Sequence, residues 1–366
     1  MSPEGAALCS LGVSSSEPVS WLSAVGGWLV TRHELAVAVM RDAETFTVED
    51  PRFSTAQVIG PSMLSLDGAA HERHRAPFVA PFRPGAIREA FAGRVAALVR
   101  GLLDELLPAG QAELRGRFAG PLAAATIGHA LGIEDIEALR GWYAAIVSAV
   151  DEITAGHAVP AAGREAFGEL QGALRGSPAL ASAAAASGLE GDELASDAAV
   201  LLFGGIETME GMICNAILLL LEHPDALELV RTDPKLLDAA IDESLRLEPA
   251  AAVVDRYATR DVELAGARIA KGELVRVSIA GANRDPSVFE APEEFRLDRP
   301  NRRRHLAFAQ GPHVCLGVHL ARLETRTALE ALLDRLPNLR LDPERPAEIT
   351  GLVFRKPAGL HVLWDA

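Results

Sequence analysis

A mainly α-helical protein with a small β region is what this 366-residue chain predicts, on three observations. Ala and Leu dominate a composition that is 49% hydrophobic but only 5% aromatic, which favours helix. Apolar residues recur at helical spacing through much of 85–156 and again over 192–223, 234–247 and 315–336. One short zone, 253–281, instead alternates like strands, with glycine turns at Gly266 and Gly272.

The elements follow in order. Residues 1–20 are small and polar and are expected to be a flexible N-terminus; no linker divides 21–366, which are expected to form a single domain. Trp28-Leu29-Val30 reads as a strand and Glu34 to Met40 as a helix, while scattered Pro and Gly make 45–64 an irregular loop. Helical periodicity returns in Ile87 through Leu107 and Leu122 through Leu131. Residues 157–190 are rich in Ala, Gly and Ser, so helices there should be short or mobile. From Asp192 to His223 runs a helix of roughly 30 residues, about 45 Å long, stopped by Pro224. Glu207 and Glu210 interrupt it, and its most apolar stretch, Leu218 to Leu221, is too short to span a bilayer, so no membrane insertion is expected. Pro234 to Leu247 is a further helix, ending before Pro249. Residues 282–312 are a long coil, and coil of that length inside a compact domain is usually functional or held by something else.

Charge and cysteine usage exclude several function classes. A net charge of -15 argues against nucleic acid and against an anionic membrane surface. Cys9, Cys214 and Cys315 are too few and too scattered for a disulfide framework, and no secretory signal is evident; a cytoplasmic protein is expected. Cys9 falls in the flexible tail, Cys214 reads as an inert buried thiol, and no His/Cys cluster has zinc spacing. His305 and His319 are expected to be structural.

Four constellations carry chemistry. Cys315 sits in Phe308-Ala309-Gln310-Gly311-Pro312-His313-Val314-Cys315-Leu316-Gly317, a Gly- and Pro-rich loop that runs into a helix. A thiol at such a junction faces free N–H groups and the positive end of a helix dipole, which favour thiolate. The long helix carries Gly204-Gly205-Ile206-Glu207-Thr208 at its centre, where each glycine costs roughly 1 kcal/mol relative to Ala. Either a flat ligand presses on the backbone there, with Glu207 and Thr208 handling protons, or two helices cross at Gly-Gly and the threonine bonds back to its own helix. Glu243 and Arg246 share one helix face. His71 and Arg75 share another, as a solvated basic face or as donors to an anionic ligand.

Taken together these segments resemble the cytochrome P-450 family. Phe308, Gly311, His313, Cys315 and Gly317 fill all five positions of its Phe-x-x-Gly-x-His-x-Cys-x-Gly loop. Gly204 to Thr208 is similar to the family's oxygen-activation motif, and Glu243, Arg246 and Arg299 match its structural triad. Ala282-Asn283-Arg284-Asp285-Pro286 is similar to the bacterial form, and the motifs keep family order across roughly residues 28–364. The resemblance implies a P-450 fold with the long central helix over haem b, ligated by the Cys315 thiolate. It implies that His71, Arg75, Arg256 and His313 bind the haem propionates, with Gly204, Phe308 and Gly317 also on the cofactor. Glu207 and Thr208 would relay protons, and Glu243, Arg246 and Arg299 would hold the loop bearing Cys315. The implied reaction inserts one oxygen atom from dioxygen into a C–H or C=C bond of an apolar small molecule, with electrons from a ferredoxin or flavodoxin and its reductase. Leu201, Gly205, Val253 and the stretch from Ala251 to Val254 are the expected substrate pocket.

Departures from the pattern are Ala309 in place of Gly, Met209 in place of a second hydroxyl residue, Glu207 in place of Asp, and a shortened 157–190 region that would correspond to the lid over the substrate. Arg299, Arg302, Arg303, Arg304, Arg322 and Arg326 surround the cysteine loop in sequence; they form either a basic patch for an acidic electron donor or internal structural pairs. A peroxide-driven peroxygenase, a haem-based sensor and a non-catalytic ligand-binding haem protein are the alternatives.

Overall fold

The computed structural model describes residues 17–23, 25–154, 157–175, 177 and 188–365. Cys9 and most of the expected N-terminal tail lie outside them, as do 178–187. The chain folds mainly as helices, with a small five-stranded sheet at one side. Strands β1 (Val19–Leu22), β2 (Gly27–Val30), β3 (Phe46–Thr47), β4 (Val253–Ala258) and β5 (Leu274–Ser278) lie in the order β1-β2-β5-β4-β3. Val19 and Ser20, expected in the flexible tail, thus belong to the sheet and pair with Val30 and Leu29. Val30, Val275 and Val277 point to one face and pack on Ala36, Val39 and Met40 of α1 (His33–Arg41). Asp255 and Arg276 stand opposite each other on β4 and β5 and pair at 2.7 Å.

The helical body begins with α2 (Ser54–Ile59), α3 (Gly68–Val79), α4 (Pro84–Leu106), α5 (Gly120–Leu131), α6 (Ile136–Thr154) and α7 (Ala161–Leu174). Two of these differ from the sequence expectation. Residues 54–59 are helical, not coil, because Thr55, Val58 and Ile59 bury one face. Residues 161–174 form a full helix: Gly163, Ala166, Leu170 and Leu174 recur at helical spacing and are buried. Gly163 permits the close crossing with α6, since a Cβ there would lie 2.4 Å from Ala149 Cβ.

At the centre is α8 (Gly191–Glu222), with Ala198, Leu202, Ile213, Cys214 and Leu218 among its buried residues. It is long and apolar enough to cross a membrane by length and composition, contrary to the expectation from its apolar run alone, yet two-thirds of its most apolar window is buried inside the protein, as in a core helix. After α9 (Pro224–Thr232), α10 (Leu237–Leu247) and the short α11 (Ile279–Ala282), α12 (Val318–Arg335) packs Leu320, Ala328, Leu329 and Leu332 into the same core as α4 and α8.

Candidate functional site

The loop 308–317 bridges the sheet side and the start of α12. Cys315 N–H donates to the Phe308 carbonyl at 2.8 Å, and Val314 N–H to Gly311 at 3.1 Å. Gly311 has φ 76, and a Cβ there would lie 2.4 Å from the Met40 carbonyl oxygen, so only glycine fits against α1. Ala309, the departure from the glycine pattern, still adopts φ 57. The loop therefore keeps its left-handed backbone and carries the strain of a Cβ, about 1–2 kcal/mol. Ala309→Gly is expected to raise stability by roughly 0.5–1 kcal/mol, the strain relieved minus the extra glycine entropy; a chemical denaturation midpoint checks it.

The thiol opens into a deep cavity, so it is solvent-accessible while enclosed by protein. Burial pushes its pKa up, against the Gly317 N–H and Arg75, which pull it down. The helix terminus alone therefore does not favour thiolate here, contrary to the sequence expectation; a bound metal ion would. The cavity, about 280 Å³, is lined by Cys315, Phe308, Gly317 and Leu316 on one side and by Leu201, Gly204, Gly205 and Thr208 of α8. Met63, Leu64, Ala250, Ala251 and Val254 complete an apolar wall. Val254, not Val253, faces the cavity: strand alternation turns Val253 to the other side, against Leu29.

The two glycines of the pair differ in their surroundings. A Cβ on Gly204 would meet nothing within 4 Å, so this residue leaves open space. A Cβ on Gly205 would lie 2.9 Å from Ile127, so this residue permits the crossing with α5. Thr208 Oγ1 donates to the Gly204 carbonyl at 2.5 Å and lines the cavity. Glu207 is not among the lining residues. Its carboxylate takes Lys356 Nζ at 2.7 Å and the Tyr143 hydroxyl. Burial, then Glu207, push the Tyr143 phenol up, so it stays protonated. Lys356 also holds Glu210 at 2.8 Å, and Glu210 takes Arg115 at 3.1 Å. Sequence reasoning found Glu207 but none of these partners. It also missed Glu324, a fully buried carboxyl on the cavity wall whose pKa burial drives well up.

On the α3 side, His71 and His313 stand ring to ring at 4.4 Å. His71 Nε2 is buried without a hydrogen-bond partner, and burial, then His313 and Arg75, lower its pKa to about 4. His313 Nε2 meets Asp67 Oδ1 at 2.8 Å, and Asp67 also takes the Thr47 hydroxyl and Val48 N–H. Despite its burial, these partners hold Asp67 at about 2. Arg75 donates to the Val314 carbonyl at 2.6 Å. Arg256 is buried in the same quarter, where burial lowers its pKa and the Asp67 charge opposes the fall.

The triad is assembled and sealed. Glu243 binds Arg246 through two contacts of 2.9 Å and Arg299 at 3.0 Å, all three being 0–2% exposed. The two guanidiniums then donate to the carbonyls of Asn283, Ala291 and Glu294. They hold the coil before the cysteine loop, and Asn283 Oδ1 accepts the Leu306 N–H at 2.7 Å to carry that order onward.

The arginines near the loop are largely internal pairs. Asp242 takes Arg322 at 2.7 Å, Arg303 at 3.3 Å and Arg302 at 3.6 Å, with His305 at 3.8 Å; Arg326 pairs with Asp238. Burial raises the Asp242 pKa, but His305 and Arg322 outweigh it and bring it from 3.8 to about 2. A depressed carboxylate stabilises the fold above its unfolded pKa, and that stability is lost as pH falls from about 4 toward 2. Asp242→Asn should cost about 1–3 kcal/mol at pH 7, and the gap to wild type should close below pH 4; urea unfolding at both pH values checks this.

Comparison with known proteins sets this geometry among others. A family profile described as cytochrome P450 matches residues 178–361. The chain is 37% identical over 360 residues to nocardicin C N-oxygenase of Nocardia uniformis subsp. tsuyamanensis, covering 92% of this chain and 89% of that one. It is 34% identical to the biotin biosynthesis cytochrome P450 of Bacillus subtilis (strain 168), covering 86% and 84%. Among solved structures, P450BioI in complex with an acyl carrier protein superposes with a TM-score of 0.85 at 30% identity over 96% of each chain. HmtN, a post-tailoring hydroxylase involved in himastatin biosynthesis, superposes with a TM-score of 0.86 at 28% identity over 100% of this chain and 98% of that one.

Proposed function

Because this chain belongs to the cytochrome P450 family and is a monooxygenase of that family, we propose that it inserts one oxygen atom from dioxygen into a C–H or C=C bond of a small to mid-size apolar molecule. The observation that carries this reading is the single cavity shared by the Cys315 thiol and the Gly204–Thr208 turn of α8.

The residues present fit haem b. Cys315 offers a thiol at the cavity surface, Gly204 leaves space beside the backbone, and His71 Nε2 is a buried polar atom awaiting a partner. Cys315 would ligate iron; His71, Arg75, Arg256 and His313 would bind the propionate carboxylates; Phe308 and Gly317 would flank the ring. Bound haem would supply activation of dioxygen with two electrons from the donor and two from the substrate bond, so that R–H, O2, two electrons and two protons give R–OH and water. Thr208 holds a hydroxyl proton at the cavity side of α8. Glu207, on the far side and tied to Lys356 and Tyr143, would resupply it. The apolar wall of Leu201, Ala250, Ala251 and Val254 excludes water and suits an uncharged substrate. Electrons would come from a ferredoxin or flavodoxin with its reductase, approaching the exposed Arg303 and Arg304, in the reducing cytoplasm.

The test uses compounds that shift the haem Soret band, turned over with NADPH, ferredoxin reductase and ferredoxin under 18O2. One 18O atom per product molecule is expected. Turnover that needs only hydrogen peroxide, with no incorporation from 18O2, would replace this reading by a peroxygenase.

A further inference from the structure

Asp197 has no part in the chemistry above, yet it is a carboxylate with 0% side-chain exposure in the second turn of α8. A buried charge is tolerated only with matched partners. Its Oδ1 accepts the backbone N–H of Met63 at 2.7 Å, and its Oδ2 lies 2.9 Å from His74 Nδ1. The other ring nitrogen of His74 faces Glu193 at 3.5 Å, and Glu193 also binds Arg73. The preceding residue, Ser196, donates its hydroxyl to the Ile59 carbonyl at 2.5 Å. Two consecutive side chains of α8 therefore grip both ends of residues 59–63.

That short segment leads into the cavity wall. Met63 and Leu64 both line it, and Met63 is 4% exposed. The segment 59–65 holds no titratable side chain, so the titratable and charged groups at this junction are Asp197 and Glu193 of α8 and His71, Arg73, His74 and Arg75 of α3. His71 and Arg75 stand on the cofactor side of α3, and His74 on the α8 side. Burial pushes the Asp197 carboxyl up to about 6, opposed by the Met63 N–H and His74. An apolar pair would fill the same gap without that penalty. What an apolar pair would not do is fix the Met63 backbone.

We propose that Asp197 and His74 form a buried clasp that positions the Met63–Leu64 wall and so sets which substrates the cavity accepts. The proposal rests on the monooxygenase reading, and its test is separable from that reading. The pair are positioning residues: they act through Met63, not on substrate.

The experiment titrates the holoenzyme with imidazole and with 4-phenylimidazole, following the Soret band, for wild type, Asp197→Ala, Asp197→Asn and the double variant His74→Leu/Asp197→Leu. Asp197→Ala should bind 4-phenylimidazole about tenfold more weakly, the scale of one charge-assisted hydrogen bond. Imidazole, the smaller probe, should change less than about twofold. Asp197→Asn keeps an oxygen for the Met63 N–H and should recover most of the loss. The double variant should unfold at nearly the wild-type temperature but show the selectivity of Asp197→Ala, and it decides the matter if the single alanine variant does not fold. Equal changes for the two probes, an asparagine variant no better than alanine, or wild-type selectivity in the double variant would each overturn the clasp. The carbon-monoxide difference band, recorded on every variant, reports separately on the monooxygenase reading.

Discussion

Glu243→Ala is expected to destabilise the fold by about 3–5 kcal/mol and to give protein that holds little haem. The reason is geometric. One carboxylate faces two guanidiniums that are 0% and 2% exposed, and its removal leaves both buried and unpaired. Those guanidiniums organise the carbonyls of 283–294, and this coil supports Leu306 and then the cysteine loop. Urea unfolding and the haem-to-protein absorbance ratio of the purified variant check both parts. Glu243→Asp should be intermediate, since a shorter carboxylate still pairs with one arginine. A variant with full haem content and wild-type stability would show that the coil holds itself.

Cys315→Ser carries the other large effect. Serine preserves the size of the side chain, and the loop's backbone bonds from Cys315 N–H and Val314 N–H need no sulfur. The fold should therefore survive. Turnover should fall on the order of a thousandfold or more, about 4 kcal/mol of barrier, because the proposed electron-donating thiolate is lost. Product formation under saturating donor, beside an unfolding curve of the same sample, separates the two effects. Activity retained within tenfold would remove Cys315 from the chemistry.

How much of this was legible in the chain depended on where the partners lie. The cysteine loop is local: its glycines, its histidine and the thiol sit within ten residues, and the backbone they dictate is the one observed, even with Ala309 at φ 57. Glu243 and Arg246 are one helical turn apart and were visible on that ground. Partners far apart in sequence were not. His313 meets Asp67 across 246 residues, and Lys356, near the C-terminus, meets Glu207 at the middle of the chain. Asp197 and His74 are unremarkable singly, and only the packing of α3 on α8 makes them a pair. The helix at 161–174 was hidden because its buried face is partly Gly and Ala, which give a weak apolar signal. Val253 was displaced by one position, and in a strand one position is the opposite face. The thiol's titration was misjudged because a sequence shows the helix terminus but not the enclosure around it.

We propose that Cys315, in the cavity it shares with Gly204 and Thr208, holds haem iron as a thiolate. The most direct test is the carbon-monoxide difference spectrum of the dithionite-reduced holoprotein. A band near about 450 nm, the signature of a thiolate opposite carbon monoxide, is expected for wild type and should be lost in Cys315→Ser. A wild-type protein with full haem content and no such band would contradict it.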